Sequence, residues 1–331
     1  MKKVNLAVVG ATGMVGRTFL KVLEERNLPI DNFYVMASKR SAGSTVTFKD
    51  KEYVVEELTE NSFDKPIDIA LFSAGGSTSA KFAPIAASKG CIVIDNSAQW
   101  RMDPEVPLVV PEVNPEDIKW NKGIIANPNC STIQAVVALK PLDDKYGIKR
   151  VVYSTYQAVS GAGVAGWKDL ENGLKGEEPH KFPHPIANNC LPHIDIFMDN
   201  GYTKEEMKMI WETRKILHKD DLKVTATAVR VPVFNSHSES VNVEFENPVD
   251  IDDVKNLFRQ TPDIVVKDDP ETNVYPLAVD ATGSDEVYVG RIRRDESVDN
   301  GINFWVVADN IRKGAATNAV QIAELIINSM E

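Results

Sequence analysis

The sequence predicts an α/β protein with an N-terminal Rossmann-like dinucleotide-binding domain and a C-terminal α+β domain. In the first half, short apolar runs alternate with stretches of helical periodicity, which favours a parallel sheet with right-handed crossovers. A glycine-rich turn, Gly10–Gly16, joins the first apolar run to the first helical stretch. In the second half, β-rich runs follow one another and the helical stretches are segregated from them. These three observations predict two domains of different architecture.

The elements of the first half are short and closely spaced. The predicted strands are Val4–Val9, Phe33–Ala37, Ile69–Ser73, Cys91–Ile94 and Gly123–Ala126. A helix is predicted over Met14–Arg26, where Leu20 and Leu23 lie at apolar positions. We place this domain at residues 1–129 and expect a C-terminal helix, 310–331, to complete it.

The second domain is expected over residues 130–309. Its predicted strands are Val151–Val159, Val224–Val233, Ser240–Phe245 and Gly301–Ala308. Lys204–His218 has helical composition, whereas Asn172–Pro192 is rich in Pro, His and Asn and is expected to be a loop. Lys313–Ser329 is predicted to form one long helix, with apolar residues at helical spacing.

Composition excludes several classes of partner. The net charge is −11 and no long basic run occurs, so neither nucleic acid nor an anionic membrane is an expected partner. No apolar run reaches the roughly 18 residues of a membrane-spanning helix. The three cysteines are odd in number and widely spaced, which favours a reducing compartment and therefore a cytoplasmic protein.

The turn Gly10–Gly16 is the candidate pyrophosphate site, because it joins a strand to a helix N-terminus. Glycines allow the backbone to approach a pyrophosphate closely, and the helix N-terminus supplies N–H groups. Its spacing is G-x-x-G-x-x-G, so a purely structural turn remains the alternative. The candidate cofactor-binding residues are Gly10, Ala11, Thr12, Gly13, Met14 and Val15.

The end of the second strand indicates which dinucleotide is bound. Enzymes that use NAD usually place a carboxylate there, on the ribose 2′-hydroxyl. Here the strand runs into Ser38, Lys39, Arg40 and Ser41, and this combination of hydroxyls and cations favours the 2′-phosphate of NADP. A solvated basic turn is the alternative, above all for Lys39. Ala74–Gly75 follows another strand and could pass beside the cofactor or form a simple turn.

Cys130 is the candidate nucleophile. It follows a predicted strand and the segment Asn127–Asn129, in which Pro128 keeps Asn127 out of the helical region. Ser131–Leu139 has helical composition, so Cys130 is expected at a helix N-terminus, a position that favours the thiolate. A buried structural cysteine is the usual alternative.

Five motifs occur together along the chain, namely Gly10–Gly16, Asp95–Ser97 with Trp100 and Arg101, Asn127–Thr132, Tyr156–Gly163, and Arg230–Val233 followed by His237. In these motifs the sequence resembles the aspartate-semialdehyde dehydrogenases. They occur in the order expected for that family and cover nearly the whole chain, to Asn310. The resemblance implies reduction of aspartyl phosphate to aspartate semialdehyde with NADPH, through a thioester on Cys130. It also implies a place in lysine, methionine and threonine biosynthesis.

The resemblance implies roles for further residues. His237 would be the general acid/base and Gln157 would orient the thioester, although a structural histidine is the alternative without the resemblance. Arg230 would bind the substrate carboxylate. The other implied substrate-binding residues are Arg101, Asn129, Glu212 and Lys215. Those implied for the cofactor, beyond the N-terminal turns, are Ser160, Gly161 and Asn310.

The pair formed by Glu212 and Lys215 lies three residues apart on a predicted helix, so an exposed ion pair is the alternative. In the family, such a pair meets the substrate amino group and phosphate. His180, His184, Cys190 and His193 lie close together in sequence, but their spacing matches no standard zinc site and three prolines already explain a rigid loop. No metal is expected.

N-acetyl-glutamyl-phosphate reductase is the nearest alternative function. It also acts through a cysteine thioester, but the acetylated amine of its substrate needs no carboxylate partner such as Glu212. Glyceraldehyde-3-phosphate dehydrogenase is a more distant alternative. A non-catalytic NADP sensor would have no need of Cys130, Gln157, Arg230 and His237 together. A homodimer or homotetramer is expected from the resemblance alone.

Overall fold

A computed structural model describes residues 2–330, which form two compact units. The first contains residues up to Pro128 and those from Ala315 onward, and the second contains Asn129–Gly314. No helix among the described residues is long and apolar enough to cross a membrane.

The first unit is built on a parallel sheet. Its strands are β1 (Val4–Val9), β2 (Ile30–Ala37), β3 (Thr45–Phe48), β4 (Lys51–Val54), β5 (Glu56–Glu57), β6 (Ile69–Phe72), β7 (Ile92–Asp95) and β8 (Ile124–Ala126). Its helices are α1 (Met14–Arg26) and α2 (Gly76–Ser88). The sheet has the order β5-β2-β1-β6-β7-β8 with every pair parallel, while β3 and β4 form a hairpin. This is the doubly wound arrangement in which ligands bind at the carboxyl ends of the strands.

The second unit is built on a mixed sheet. Its helices are α3 (Cys130–Tyr146), α4 (Gly163–Gly173), α5 (Lys204–Ile216), α6 (Ile251–Gln260) and α7 (Ala278–Ala281). Its strands are β9 (Ile148–Gln157), β10 (Lys223–Arg230), β11 (His237–Phe245), β12 (Ile264–Val266), β13 (Val287–Arg294) and β14 (Gly301–Ala308). The strand order is β10-β9-β11-β14-β13-β12, and the three central neighbouring pairs are antiparallel. Helix α3 packs against β9, β11 and β14.

The C-terminal helix α8 (Asn318–Ser329) returns to the first unit. It packs against α1, β6 and β7, and its apolar residues Ala319, Ile322 and Ile326 join the core formed by β1 and α1. Arg26 and Glu324 also form a two-bonded ion pair between α1 and α8. The apolar periodicity of the last 20 residues is therefore explained by burial against the parallel sheet.

The predicted fold class is confirmed, and several boundaries are corrected. Helical structure at the C-terminus is not one helix over Lys313–Ser329: it begins with a π-helical segment, Arg312–Thr317, before α8. The Asp309 carboxylate caps this start by accepting N–H groups of the next residues. The predicted loop Asn172–Pro192 is wrong at its first residues, which end α4. Glycines at three positions of α4 obscured this helix in the sequence.

Several further elements lay outside the predicted set, among them α2, α6 and β13. A signal for α6 was present, because Asp250 caps its N-terminus and Val254 and Phe258 are buried at helical spacing. β11 also begins earlier than predicted, so His237 is its first residue rather than a residue between strands.

Candidate active site

Cys130 is the first residue of α3 and is partly exposed. The preceding residue, Asn129, caps the helix: its side-chain oxygen accepts the N–H groups of Ser131 and Thr132 at 3.0 and 3.3 Å. The helix N-terminus therefore places its partial positive charge beside the thiol. Cys91 has the opposite surroundings, since burial and then the Asp68 carboxylate raise the pKa of its thiol to about 12.

His237 is fully buried at the start of β11. Its Nδ1 accepts the Ala158 backbone N–H at 3.0 Å, so a neutral ring carries its proton on Nε2. Burial lowers the pKa of His237 to about 3; the Arg230 guanidinium adds to this effect and Glu205 opposes it. The resting imidazole is therefore neutral and can donate a hydrogen bond from Nε2.

Gln157 ends β9 and is held from two sides. Its Oε1 accepts the Thr155 hydroxyl at 3.0 Å, and its Nε2 donates to Glu205 at 3.1 Å. The same nitrogen lies 3.5 Å from Nε2 of His237. Strand β9 and strand β11 are antiparallel neighbours, which explains why a residue that ends one lies beside a residue that begins the other.

Glu205 is a buried member of this cluster that the sequence analysis missed. One carboxylate oxygen accepts from the side chains of Asn129 and Gln157, and the other pairs with Lys208 at 3.0 Å. Burial alone would raise the pKa of Glu205, but the Lys208 ammonium and these hydrogen bonds hold it at about 2. Lys208 is also paired with Asp195. The carboxylate thus fixes the residue before Cys130 and the amide of Gln157 to one anchor.

Arg230 ends β10 and is 5% exposed. One Nη atom donates to the Ala158 carbonyl at 2.7 Å, and the guanidinium lies over the Phe182 ring, 6.0 Å from its centroid. Its other N–H groups have no hydrogen-bond partner among residues 2–330. An arginine held in this way presents a fork to a planar anion such as a carboxylate.

The candidate pair Glu212 and Lys215 lies on α5, one turn apart. Glu212 is 1% exposed and accepts the backbone N–H of Asn129 at 2.6 Å, next to Cys130. Lys215 is partly buried. The pair is therefore not the fully exposed ion pair that was the alternative interpretation.

Two glycines pack tightly in this unit. A Cβ on Gly161 would lie 2.9 Å from a guanidinium nitrogen of Arg230 and 3.3 Å from Nε2 of His237. A Cβ on Gly314 would lie 2.9 Å from the Cβ of Cys130. Gly314 belongs to the π-helical segment, a form of helix that is common at functional sites, and the sequence analysis did not single it out.

Ser160 and Asn310 lie together in the same unit. Their side chains are hydrogen-bonded at 3.1–3.2 Å, and Asn310 also accepts the backbone N–H of Ser236. Both residues are buried. The second unit therefore brings together most residues predicted for catalysis, the substrate carboxylate and the nicotinamide end of the cofactor.

The glycine turn of the first unit has the geometry of a backbone cradle. Gly10 has φ +87°, and a Cβ there would lie 2.2 Å from the Ser73 carbonyl oxygen. A Cβ on Gly16 would lie 2.1 Å from the Gly10 carbonyl oxygen. Helix α1 begins at Met14 with no side-chain cap from Gly13. Its first N–H groups, that of Val15 included, thus lie next to the turn that contains Ala11 and Thr12, as an anion site requires.

The turn after β2 lies against the glycine turn. The Thr12 hydroxyl donates to the Ser41 hydroxyl at 3.3 Å, and Ser41 closes a turn on the Ser38 carbonyl. Lys39 and Arg40 are exposed in this turn. Ala74 and Gly75 follow β6, and Gly75 has φ +86° at the N-cap of α2. These three turns lie after β1, β2 and β6, which are neighbours in the sheet.

Arg101 belongs to the first unit and is 7% exposed. It donates to the backbone carbonyls of Asn127 and Asn96 at 2.9 and 3.1 Å. The Asn127 side chain in turn donates to Asn96 and to the Ala315 carbonyl. Arg101 is therefore anchored to the segment that leads into Cys130.

The His- and Cys-containing loop is organised by a carboxylate. Asp169 of α4 accepts the backbone N–H groups of His180, Lys181 and Phe182. His193 stacks on Phe197, with ring centroids 4.3 Å apart. Within the described ranges, no group of three His, Cys, Asp or Glu side chains could hold a metal ion.

Family models of semialdehyde dehydrogenases match both parts of the chain. The model described as "Semialdehyde dehydrogenase, NAD binding domain" matches residues 5–121. The model described as "Semialdehyde dehydrogenase, dimerisation domain" matches residues 139–313.

Curated relatives and solved structures agree with these models over the full length. The aspartate-semialdehyde dehydrogenase of Aquifex aeolicus is 61% identical, with 98% of each chain covered, and that of Campylobacter jejuni is 52% identical, with 98% and 97% covered. The structure of aspartate semialdehyde dehydrogenase II of Vibrio cholerae complexed with ASA is 52% identical, with a TM-score of 0.96 and 99% coverage of each chain. The enzyme of Candida albicans with NADP is 28% identical, with a TM-score of 0.79 and 98% coverage of each chain.

Proposed function

The chain belongs to the aspartate-semialdehyde dehydrogenase family, and we propose that it reduces L-aspartyl 4-phosphate to L-aspartate 4-semialdehyde with NADPH. The observation that carries this proposal is Cys130 at the N-terminus of α3, in the same unit as the buried cluster of His237, Gln157 and Arg230. The product leads to lysine, methionine and threonine. A reactive thiol and the lack of any disulfide among the three cysteines support a cytoplasmic location.

Acyl transfer to Cys130 is the first chemical step. The thiolate attacks the acyl carbon of the phosphate anhydride, the C–O bond to phosphate breaks, and a thioester forms on Sγ while phosphate leaves. The α3 N-terminus, capped by Asn129, stabilises the thiolate. Arg101, which is anchored by backbone carbonyls, is assigned to the departing phosphate. Lys215 is assigned to the same group because its positive charge suits that of the phosphate.

His237 and Gln157 act on the oxygen of the thioester. Since the imidazole is neutral and carries its proton on Nε2, it can donate this proton to the developing oxyanion. It takes the proton back as the C–S bond breaks and the hemithioacetal collapses to the aldehyde and the Cys130 thiolate. Gln157 is held by Thr155 and Glu205, which fixes its amide at this position. The bound nicotinamide supplies the hydride that converts the thioester to a hemithioacetal.

Substrate recognition is assigned to two opposite charges in the second unit. The open edge of the Arg230 guanidinium suits the α-carboxylate with two parallel hydrogen bonds. The buried carboxylate of Glu212 suits the ammonium group. This second assignment disfavours N-acetyl-glutamyl-phosphate reductase, because an acetylated amine carries no charge to pair with Glu212.

The first unit is assigned to NADP. The close approach of Gly10 and Gly16 to neighbouring backbone leaves no room for side chains, which fits a pyrophosphate cradle. Ser38, Arg40 and Ser41 are assigned to the 2′-phosphate, and Ala74 and Gly75 to a position along the dinucleotide. Ser160, Gly161 and Asn310 of the second unit are assigned to the nicotinamide end.

We also propose that the second unit self-associates through the sheet face that carries Tyr156 and Trp305, whose ring centroids lie 5.3 Å apart. A cavity of about 400 Å³ opens there, lined also by Leu277 and Arg293. Leu277 is 46% exposed. Burial of this apolar surface supports a homodimer, or a homotetramer built as a dimer of dimers. Leu277→Asp should shift the sedimentation coefficient towards the monomer, whereas Leu174→Asp, at a similarly exposed leucine of the same unit, should not.

The activity is tested by phosphate-dependent reduction of NADP with aspartate semialdehyde, compared with N-acetyl-glutamate semialdehyde. Turnover is expected with aspartate semialdehyde and not with N-acetyl-glutamate semialdehyde. Cys130→Ala should lose at least about 10⁴-fold in kcat and still bind NADP, since the nucleophile and the cofactor turn are separate. Cys190→Ala, at an exposed cysteine, is the matched control and should remain active. An acyl adduct found by mass spectrometry on a cysteine other than Cys130 would overturn the mechanism.

A further inference from the structure

Glu239 is a buried carboxyl group that the proposed mechanism leaves unused. It lies two residues after His237 on β11 and, like His237, is fully buried on the face of the sheet that α3 covers. Neither carboxyl oxygen makes a hydrogen bond with the described residues. A carboxylate isolated in this way would be very unfavourable, so Glu239 is a neutral acid with one donor and one acceptor.

The groups that face Glu239 come from three neighbouring elements. Thr155 of β9 and Val306 of β14 lie directly opposite in the sheet register. From α3, the Ser131 hydroxyl lies near enough to lower the pKa of Glu239 somewhat, although burial raises that pKa well above its ordinary range. The titratable side chains nearby are Tyr153 of β9, which is also buried, His237 of the same strand, and Cys130 beside Ser131.

Other buried polar atoms on the first turns of α3 also have no hydrogen-bond partner among the described residues. They are Ser131 Oγ, Thr132 Oγ1 and Gln134 Oε1. Gln134 already joins α3 to β11, because its side-chain nitrogen donates to the His237 carbonyl at 3.3 Å. Buried polar atoms in proteins are nearly always hydrogen-bonded, directly or through an internal water. A protonated Glu239 is the available donor for this cluster, and its own carbonyl oxygen can accept from Ser131.

We propose that the Glu239 carboxyl is a positioning group that bonds to Ser131 on α3 and to Thr155 across the sheet. Ser131 follows Cys130, and the Thr155 hydroxyl donates to Gln157. The carboxyl thereby holds the nucleophile-bearing turn of α3 in place over the strands that carry Gln157 and His237. The effect of Glu239 on kcat rests on the proposed function. Its effect on the chemical modification of Cys130 does not, and depends only on the reactivity of that thiol.

Two substitutions separate positioning from simple packing. Glu239→Gln keeps a donor and an acceptor without any charge, whereas Glu239→Leu fills a similar volume and makes no hydrogen bond. Glu239→Leu should lower kcat about 10–100-fold with little change in KM, because small misplacements of reacting groups are costly. Its melting temperature should stay equal or rise, since an unsatisfied buried acid is gone. Glu239→Gln should recover most of kcat. Val243→Leu, on the same face of β11 and farther from His237, is the packing control.

The rate of iodoacetamide modification at Cys130, followed by peptide mass spectrometry against pH, gives a readout independent of substrate. Glu239→Gln should leave the pH midpoint of Cys130 modification unchanged, and its infrared difference spectrum against wild type should show the carbonyl band of a protonated acid. A midpoint lowered by Glu239→Gln would mean that Glu239 is ionised, and would overturn the proposal. The proposal would also be overturned if Glu239→Leu kept the wild-type kcat, or if Glu239→Leu and Glu239→Gln lost kcat equally. If wild type fails to turn over aspartate semialdehyde, the proposed function fails, while the modification midpoints still test Glu239.

Discussion

The cofactor turn of the first unit is built from backbone, whereas the thiol site of the second unit is built from buried side chains. Gly10 and Gly16 act by the absence of a Cβ, and the first N–H groups of α1 have no side-chain cap. Around Cys130, in contrast, Glu205, Gln157 and Asn129 are linked side chain to side chain. The first site recognises an anion by shape and dipole, and the second holds charges whose protonation states matter.

This difference predicts how each site tolerates change. A backbone site is sensitive to any added atom at a glycine and insensitive to pH, because no group in it titrates near neutrality. A side-chain site depends in addition on individual donors and acceptors, so that removing a single one of them is costly. Substitutions at His237, Arg230, Gly10 and Arg40 test this contrast between the two sites.

The largest effect among the remaining variants is expected from His237→Asn. Asparagine keeps a polar group of similar size but cannot transfer a proton, so kcat should fall about 10²–10⁴-fold with KM little changed. Steady-state kinetics in the direction of NADP reduction provide the measurement, and NADP affinity is the control. A variant that changes mainly KM would assign His237 to binding instead.

The same substitution has a consequence for stability against pH. Because burial lowers the pKa of His237 from 6.5 to about 3, the unfolded chain binds a proton that the folded chain does not between these values. His237 therefore contributes stability above pH 6.5, and this contribution is lost as the pH falls towards 3. The free energy of unfolding of His237→Asn should decline less steeply than that of wild type over this window.

Arg230→Leu should produce the next largest loss, mainly in KM. Losing one partner of a buried charge pair costs about 2–5 kcal/mol, much of it from the carboxylate left unpaired. Arg230→Lys should recover little of this loss, since a point charge lacks the two-bonded fork and cannot reproduce the bond to the Ala158 carbonyl. Saturation curves for aspartate semialdehyde measure the effect. Full recovery by lysine would show that charge alone is recognised.

Gly10→Ala should weaken NADP binding by about 100-fold while leaving Cys130 reactive. The added Cβ would collide with the Ser73 carbonyl at 2.2 Å, so the turn must move. Gly90→Ala is the matched control, because Gly90 has a similar φ, +85°, in the same unit but open space around it. That variant should lose only about 1 kcal/mol of stability. Equal loss of NADP affinity in both variants would mean that backbone strain, rather than the cradle, is the cause.

The contrast also explains what the sequence could predict. The cofactor turn was identified because its geometry is set by residues adjacent in the chain, in the strand–turn–helix context of β1 and α1. Glu205 was missed because its importance arises only when α5 packs beside Asn129 and Gln157, and on the helix it has the same spacing to Lys208 as Glu212 has to Lys215. Residues such as Phe182 and Gly314 carry no chemistry of their own, so only their packing reveals them.

The smallest effect is expected at the turn after β2. This part of the cofactor site resembles the thiol site in one respect, because a side chain rather than the backbone contacts the ligand there. Arg40→Ala should lower the preference for NADP over NAD about 10-fold, in line with one exposed charge-assisted contact to the 2′-phosphate. Kinetics with NAD should not change, because NAD lacks that phosphate. Lys39→Ala, at the neighbouring exposed cation, is the control and should keep the preference. The wild-type preference should also weaken as ionic strength rises, since an exposed pair is screened, and Arg40→Ala should show less of this salt dependence. An unchanged preference in Arg40→Ala would move the recognition of the 2′-phosphate to the hydroxyls of Ser38 and Ser41, the second of which accepts a hydrogen bond from Thr12 of the glycine turn.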